Sequence, residues 1–547
     1  MTATATRGTD ARAGSARWAD AERLSRWVAV PPRPAAMVAG TLAAAAAVLG
    51  WRGADVPNHQ FRIELFRRAG FTVWSSAWYG GHHTPGYSVL LPPLGALLGP
   101  ALLGALSAVV AAVCFDRLVR ALPFVRPSRA GTASLLFAAG TVTNLAVGRL
   151  AFALGLAFGL AALTVGAQGS RVPTGPSRLA AALGLCVGTA LASPVAGCFL
   201  ALAWTAGALH SRSRRQLSLA AATAVPVVLL AGLFPEGGTF PFRASALVFT
   251  LAASAISIAL LPPAWGMVRI GAGLYAAAAV VTFAVPNPLG ANITRLGMFV
   301  LAPVLVAGAA RRRPVVLVAL VAALVWWQWS PAVDGMVRSG RDPSTQAAYY
   351  APLLDALARQ PGPIGRIEIP FSQRHFEAAF VAPFVPIARG WERQVDMRVN
   401  PLFYARGPLD PAHYRDWLDD NGVEYIALPD AALDPSAVAE AELVQRGEAF
   451  LRPVWRGAHW RLWQVVGSPG LVDGPATLVG QTADTVTVDA SAAGAVVVRV
   501  RTTAFWSVDG PACAGDTSDG WVRLEVSAPG RLVLHPVLIG HRARCSP

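Results

Sequence analysis

Residues 74–99 read WSSAWYGGHHTPGYSVLLPPLGALLG and join two very different kinds of sequence. Aromatic side chains and two adjacent histidines come first, and an apolar segment without a charge follows. Pro92 and Pro93 interrupt that segment near its start. At membrane depth, irregular backbone is tolerated only where it is buried in protein or lines a cavity. The stretch therefore predicts a polar, aromatic cluster at the mouth of a broken membrane helix.

The composition of the whole chain agrees with a membrane protein. The 547 residues are 54% hydrophobic and 14% charged, and the mean hydropathy is +0.46. Soluble domains usually carry about 25% charged residues. The 46 basic residues exceed the 31 acidic ones, and an excess of arginine in cytoplasmic loops explains this balance more simply than nucleic-acid binding. We expect no nucleic-acid partner.

Apolar runs outside this stretch predict a polytopic α-helical membrane domain of about eleven spans. The runs cover residues 34–51, 86–121, 131–147, 150–168, 178–192, 194–209, 217–233, 244–262, 266–284, 294–310 and 314–330. The short runs on either side of Ser193-Pro194 could also form one kinked unit. The first run follows a long polar leader and predicts an uncleaved signal anchor.

Arginine distribution predicts the orientation of the chain in a plasma membrane. If the spans alternate, the arginines of residues 1–33, 117–129, 171–178, 212–215 and 311–313 share one face. We expect this face to be cytoplasmic, with residues 1–33 as a disordered tail. The loop at 52–86 and all residues after 331 then lie outside the cytoplasm.

The predicted domains are the tail 1–33, a transmembrane domain 34–330, an extracytoplasmic α/β region 331–470 and a β-rich module 471–547. RIEIPF at 366–371 and VEYIALP at 423–429 have the composition of strands. Short alternating stretches after residue 475 favour a β-sandwich-like module. Cys513 and Cys545 bracket its last strands and could form a disulfide in an oxidising exterior or remain two free thiols.

The first outside loop carries the candidate catalytic residues. Asp55 follows the membrane exit closely, where desolvation could make its carboxylate a general base. His59 and Arg62 follow at i+4 and i+7, so a short helix would place them on the same face. Glu64 is a further candidate. The alternative is an ordinary loop with solvated charges.

Four residues further along this loop are candidate sugar contacts: Trp78, Tyr79, His82 and His83. Flat rings suit the face of a sugar, and the surrounding glycines permit close approach of the backbone. Tryptophans also act as anchors at membrane interfaces. Adjacent histidines could bind a metal, but no third ligand stands at a recognisable spacing, so we expect no metal site.

Other outside segments add polar candidates. Glu236 and Arg243 flank a Gly-Gly pair, and Arg295 stands near the start of a span, where arginine usually has a partner. That partner could be a phosphate, which guanidinium binds bidentately, or Glu236, or the membrane interface. GWERQ at 390–394 predicts a loop that either covers the outer mouth or makes an interdomain contact.

ADVPNHQFRIELFRRAGF followed by WYGGHHTPGYSVLLPPL resembles the GT-C superfamily of polytopic membrane glycosyltransferases. The chain is also similar to large actinobacterial membrane proteins with related WYGGHH and GWERQ segments. The GT-C resemblance implies a polyprenyl-phosphate sugar as donor, Asp55 as the base that activates an acceptor hydroxyl, and Arg295 with Arg243 on the donor phosphate. It implies membrane lipid, lipid-linked sugar and an envelope glycan as partners.

This sequence departs from the commoner GT-C pattern because its first loop has no adjacent acidic pair, so neither a cofactor nor a divalent metal is expected. Two alternatives to a transferase remain. The chain could be a flippase or transporter of lipid-linked material, or a non-catalytic factor in envelope assembly. The apolar runs carry few carboxylates, and this scarcity disfavours an ion-coupled transporter.

Overall fold

A computed structural model describes residues 34–166, 176–309, 314–337, 342–405, 407–538 and 543–545. The predicted tail 1–33 lies outside these residues, as do the arginines at 171 and 311–313. The described chain forms a helical membrane half followed by a second half of mixed helices and strands, which we call the outer half after the position predicted for it. This order confirms the predicted fold class.

The membrane half contains thirteen helices within the described residues. They are α1 Pro34–Val48, α2 Val56–Ala69, α3 Leu91–Leu98, α4 Pro100–Arg120, α5 Pro127–Val147, α6 Leu150–Gly166, α7 Pro176–Ala192, α8 Pro194–Ser211, α9 Arg214–Leu233, α10 Ala244–Leu260, α11 Gly266–Ala284, α12 Thr294–Gly308 and α13 Pro314–Val337. Seven helices are long and apolar enough to cross a membrane, and four more are shorter apolar helices. Together they match the predicted eleven spans and make this a multi-pass membrane protein.

Two helix boundaries differ from or refine the predictions. The break in the second span lies at Gly99, with φ 76°, and not at Pro92-Pro93. Those prolines occupy the first turn of α3, where a missing backbone N–H costs nothing. At Ser193 the hydroxyl caps α8, so α7 and α8 are separate helices and not one kinked unit.

Contacts between distant turns test the alternation of the spans. Asp55 follows one span, Arg149 follows three and Arg295 follows nine, yet the two arginine side chains both lie against Asp55. An odd number of crossings therefore separates each of them from the start of α1. The outer half, after eleven spans, also contacts this group. These contacts place Asp55, Arg149, Arg295 and the outer half on one side of the spans, as the predicted alternation requires.

The first part of the outer half is an α/β unit around a four-stranded sheet. The strands β1 Trp74–Ser75 and β2 His82–His83 belong to the first outside loop. The strands of the sheet are β3 Ile367–Glu368, β4 Tyr425–Pro429, β5 Leu451–Arg456 and β6 Trp460–Val465, in the order β3-β4-β6-β5. Its helices are α14 Ala347–Ala358, α15 Glu377–Phe380, α16 Arg393–Val399, α17 Pro411–Asp420 and α18 Val438–Arg446. β3 and β4 pair in parallel and the other neighbours are antiparallel. Both predicted strands of this region, in RIEIPF and VEYIALP, are confirmed.

A buried arginine organises the middle of this unit. Arg389 lies between the rings of Phe371 and Phe403, at 4.1 and 4.0 Å, and its Nη2 is 2.8 Å from Asp396. Its Nη1 is 3.4 Å from Glu440. A buried charge is tolerated only when it is paired in this way. The arrangement holds the backbone just before the GWERQ loop in a single position.

The second part of the outer half is a β-sandwich. Two four-stranded sheets have the orders β12-β13-β10-β7 and β11-β14-β9-β8 and share one apolar core. The strands are β7 Val472–Asp473, β8 Ala476–Gln481, β9 Val486–Ala490, β10 Gly494–Arg501, β11 Trp506–Asp509, β12 Ala512–Asp516, β13 Trp521–Val526 and β14 Gly530–Pro536. A disulfide joins Cys513 to Cys545, so the predicted pair is confirmed.

Candidate active site

Tight backbone packing places Asp55 at the outer ends of the spans. Its backbone N–H donates to the carbonyl of Val147, at the end of α5, with N···O 2.9 Å. A Cβ on Gly53 would stand 2.3 Å from the Ala146 carbonyl oxygen, so only glycine permits this approach. Asp55 stands at the N-cap position of α2, without a side-chain capping hydrogen bond, where the helix dipole favours negative charge.

Two arginines flank the Asp55 carboxylate. Arg149 Nε lies 3.5 Å and Arg295 Nη2 3.7 Å from the same oxygen, Oδ2. Both distances exceed a normal hydrogen bond, so the guanidinium groups neutralise the carboxylate without being saturated by it. Arg149 Nε is buried and has no hydrogen-bond partner among the described residues. Such a donor favours a further acceptor.

His59 supports the turn that carries Arg149. Its Nδ1 lies 2.9 Å from the Gly148 carbonyl oxygen, and burial lowers the pKa of His59 to about 4. The imidazole is therefore neutral near pH 7, and Nδ1–H donates this bond. Gly148 has φ 92°, a conformation that glycine adopts freely. The i, i+4 prediction for Asp55 and His59 is correct, but the structure gives His59 a positioning role.

Tyr87 and Arg62 lie behind Asp55. The guanidinium of Arg62 stands 4.7 Å from the centre of the Tyr87 ring. Burial, and next the negative charge of Asp55, raise the pKa of Tyr87 to about 12. Its hydroxyl therefore stays protonated near pH 7 and can donate a hydrogen bond to an anion or a sugar oxygen.

The outer half covers this group through the GWERQ loop. Trp391 Nε1 donates to the carbonyl of Ala54, 2.9 Å away, and the carboxylate of Glu392 pairs with Arg62. The Tyr79 hydroxyl donates to the Glu392 carbonyl at 3.0 Å. GWERQ is thus an interdomain contact, as one of the two interpretations held. It also lies directly beside Asp55.

Three predicted sugar contacts are buried inside the protein. Trp78, Tyr79 and His82 are 0%, 2% and 1% exposed. Trp78 stacks between Phe61 and His82, with ring centres 4.0 and 5.0 Å away. Burial, and next the charge of Arg62, hold the pKa of His82 well below its ordinary value. The structure gives these rings a packing role in place of the predicted contact with sugar.

The glycines beside these rings permit close approach, as predicted, but to other protein groups. A Cβ on Gly81 would stand 2.3 Å from the Trp74 ring, and one on Gly80 would stand 2.9 Å from Trp521. Both glycines have positive φ. They allow the hairpin of β1 Trp74–Ser75 and β2 His82–His83 to pack against the β-sandwich.

Glu236 finds its partner in His83 and not in Arg295. Its carboxylate accepts from the His83 backbone N–H and lies 3.1 Å from His83 Nδ1. This pair joins the first outside loop to the loop before α10. Arg243 is exposed at the start of α10. The structure therefore brings Arg295 to Asp55 but leaves Arg243 apart from the pair.

Glu64 is separated from Asp55 by helix geometry. Nine residues correspond to about two and a half turns of α2, so the two side chains point to opposite sides. Glu64 pairs instead with Arg68 at 2.7 Å and Arg67 at 3.8 Å, on the exposed surface. This position does not support the predicted catalytic role of Glu64.

Sequence reasoning missed Arg149, Tyr87 and Glu392 as members of the group. Arg149 carried the same signal as Arg295, an arginine at the outer end of apolar runs and against the overall bias. Tyr87 carried no local signal, and Glu392 was marked only as part of the GWERQ loop, since their positions beside Asp55 depend on packing between distant segments. Within the described ranges, no group of three or more histidine, cysteine, aspartate or glutamate side chains could hold a metal ion.

Comparison with protein families and with curated proteins found no match. Among solved structures, the chain is similar to the arabinofuranosyltransferase AftD from mycobacteria, with 18% sequence identity and a TM-score of 0.45. The similarity covers 83% of this chain and 40% of that one. The chain therefore spans less than half the length of the solved arabinofuranosyltransferase that it resembles.

Proposed function

We propose that this protein is a membrane glycosyltransferase of the GT-C type. It takes a sugar from a polyprenyl-phosphate donor and transfers it to an envelope glycan or lipid on the outer face of the plasma membrane. The observation that carries this proposal is one carboxylate, Asp55, between two guanidinium groups that can still bind a further acceptor, at the outer ends of the spans. A proton acceptor and a phosphate site are the two parts that such a transfer needs.

The proposed reaction is a displacement at the anomeric carbon of the donor. Asp55 takes the proton of the acceptor hydroxyl, whose oxygen forms the new glycosidic bond. The bond from the anomeric carbon to the phosphate oxygen breaks, and polyprenyl phosphate leaves with that electron pair. Arg149 and Arg295 bind the phosphate and stabilise its growing charge. The two arginines supply the positive charge that a divalent cation would otherwise supply. The reaction is therefore expected to proceed without a metal ion, which remains a prediction.

The GWERQ loop borders the proposed reaction site. Trp391 and Glu392 hold the outer half against the first outside loop, beside Asp55. Tyr87 would donate a hydrogen bond to the donor. Of the residues predicted from the resemblance, Asp55 and Arg295 keep their roles, and Arg149 replaces Arg243.

The orientation belongs to the same proposal. Arginines of the described turns at 117–129 and 212–215 follow an even number of spans, and Asp55 follows an odd number. With the arginine-rich face in the cytoplasm, the N-terminus is cytoplasmic, and both the site and the outer half are extracytoplasmic.

Asp55→Asn tests the proposal directly. Protein in lipid nanodiscs is incubated with a panel of polyprenyl-phosphate sugars and envelope glycan fragments, and new glycosidic bonds are detected by mass spectrometry. We expect Asp55→Asn to lower transfer by at least about a hundredfold, the usual contribution of a general base. Arg149→Ala and Arg295→Ala should weaken donor binding. Asp509→Asn, a change of an exposed carboxylate in β11, is the matched control and should leave transfer unchanged.

Two outcomes contradict the proposal. Transfer by Asp55→Asn at the wild-type rate would remove Asp55 as the base. Movement of lipid-linked sugar between leaflets, without a new glycosidic bond in any donor and acceptor combination, would favour the flippase alternative. A protein that binds donor but tolerates both Asp55→Asn and Arg295→Ala in cells would favour the assembly factor.

A further inference from the structure

A cleft of about 430 Å³ lies where three parts of the molecule meet. One wall is the end of α2, with Arg68 and Ala69, and the second is the segment 382–386. The third is the turn 481–485 between β8 and β9. We name this space the junction cleft. It is separate from the Asp55 group and contains none of the residues proposed for the transfer step.

Hydrogen bonds hold the three walls in fixed positions. Ser76 N–H donates to the Ala483 carbonyl at 2.6 Å and ties the β8–β9 turn to the first outside loop. Arg68 Nη1 donates to the Pro383 carbonyl at 3.2 Å, and Gln481 Nε2 donates to the Ile364 carbonyl at 3.0 Å. A binding site that is formed before its ligand arrives loses less entropy on binding.

An exposed aromatic ring forms one side of the junction cleft. Phe384 is 56% exposed, although it lies in the outer half. The guanidinium of Arg68 stands 4.1 Å from the centre of the ring, and Arg68 Nε donates to Glu64 at 2.7 Å. The ring is therefore supported by a neutralised arginine and still presents apolar surface to the solvent.

Polar side chains line the rest of the junction cleft. The Asp484 carboxylate accepts from the Thr482 hydroxyl at 2.9 Å and from the Thr485 hydroxyl at 3.4 Å. Gln481 contributes an amide. Arg68 is already paired with Glu64 and Asp484 is itself negative, so the cleft offers no net attraction to an anion. A supported ring with hydroxyl, amide and carboxylate groups suits a neutral polyhydroxylated ligand.

The position of the junction cleft relates it to Asp55. Asp55 stands at the N-cap position of α2 and Arg68 lies in its last turn. At 1.5 Å per residue, the two are about 20 Å apart along the helix. We propose that the junction cleft binds a neutral glycan chain. The glycan would be the acceptor, and its end would reach Asp55. This part of the inference rests on the proposed function.

Binding of oligosaccharides to the full chain in nanodiscs tests this inference. The probes are fluorescently labelled neutral linear oligosaccharides of graded length, with uronic acid oligosaccharides as acidic controls. We expect wild type to prefer neutral chains, with affinity that rises with length. Phe384→Ala should weaken binding about tenfold, and Phe384→Trp should retain it. Phe71→Ala, a change of a comparably exposed ring just beyond α2 (53% exposed), is the matched control and should bind like wild type.

Asp55→Asn separates this inference from the proposed function. If it abolishes transfer but retains glycan binding, both stand. If transfer is unaffected but Phe384→Ala still loses binding, the glycan site stands without the proposed chemistry. Absence of neutral glycan binding by wild type, or equal losses in Phe384→Ala and Phe71→Ala, overturns the inference. A spin label at Phe384→Cys that reports immersion in lipid overturns it in favour of membrane contact.

Discussion

At the scale of single residues, burial changes what His59 can contribute. The spacing from Asp55 predicts a shared helix face, and a histidine there suggests acid–base chemistry. The structure encloses the ring and bonds its Nδ1 to Gly148, at the turn between α5 and α6. A neutral, bonded imidazole cannot donate a proton to a reaction near pH 7. Its contribution is the position of the turn that carries Arg149.

This environment predicts a loss of stability in acid. The pKa of His59 falls from its ordinary 6.5 to about 4 in the folded protein, so the unfolded chain takes up this proton first on acidification. Stability due to His59 is complete above about pH 6.5 and falls progressively towards pH 4, by about 3 kcal/mol in all.

Thermal unfolding in nanodiscs across this pH range, for wild type and His59→Asn, measures the effect. Asparagine retains a side-chain N–H donor and does not titrate. The difference in Tm between the two proteins should therefore shift in favour of the variant as the pH falls. Parallel pH profiles would show that His59 does not titrate as the structure implies.

At the scale of elements, glycine contacts between helices place the Asp55 loop. On α13, a Cβ at Gly335 would stand 2.5 Å from the Ala146 carbonyl oxygen of α5 and 3.1 Å from Gly53. The end of α5, the loop after α1 and α13 thus meet without intervening side chains. This three-way contact holds the backbone that leads into Asp55.

Gly335→Ala should therefore displace the loop. The added methyl group forces α13 away from α5, and overpacking of this kind costs about 1–3 kcal/mol. We expect a lower Tm and reduced donor binding. Gly273→Ala in α11 is the control, because nothing lies within 4 Å of its added Cβ. It should be neutral or slightly stabilising. Equal behaviour of the two variants would argue against the three-way contact.

At the scale of the whole molecule, the first outside loop joins the membrane half to the outer half. Arg62 on α2 pairs with Glu392, and both are nearly fully buried. Asp334, near the end of α13, bonds Arg374 at 2.7 Å. The Trp74 ring enters the core of the β-sandwich. The halves are therefore coupled at several points around the Asp55 group.

The Arg62–Glu392 pair gives a prediction about this coupling. Arg62→Met or Glu392→Met alone leaves one buried charge without its partner and should cost about 3–5 kcal/mol. The double variant removes both charges and should lose clearly less than the sum of the single losses. Thermal unfolding of the four proteins in nanodiscs measures the coupling. Additive losses would mean that the two side chains do not interact.

The disulfide gives a second prediction at this scale. Cys513 and Cys545 are 32 residues apart, and a bridge over such a loop typically stabilises by about 2–4 kcal/mol. Cys513→Ser should lower the stability of the β-sandwich to the value of wild type under reductant, and added reductant should then change nothing further. Limited proteolysis followed by mass spectrometry measures the unfolding of the β-sandwich separately from that of the spans. A reductant-insensitive wild type would contradict the bridge.

Local patterns were sufficient to predict the architecture. Apolar runs of membrane length predicted eleven spans, alternating strands predicted the terminal β-sandwich, and Cys513 with Cys545 marked its disulfide. Asp55 and Arg295 stood out because a charge beside an apolar run is costly wherever it occurs. These properties depend on neighbours in the sequence or on the transfer of a segment out of water. The amino-acid sequence alone therefore determines them.

Tertiary contacts decided which residues form the candidate site. Arg295 meets Asp55, and Glu236 meets His83, because spans far apart in sequence pack side by side. The same packing buries Trp78 and His82, which the sequence marked as ligand contacts, and brings in Arg149 and Tyr87. Burial and partner choice are free-energy balances over several elements at once. The spacing of residues in the sequence does not determine burial or partner choice. These two properties distinguish a catalytic side chain from a structural one.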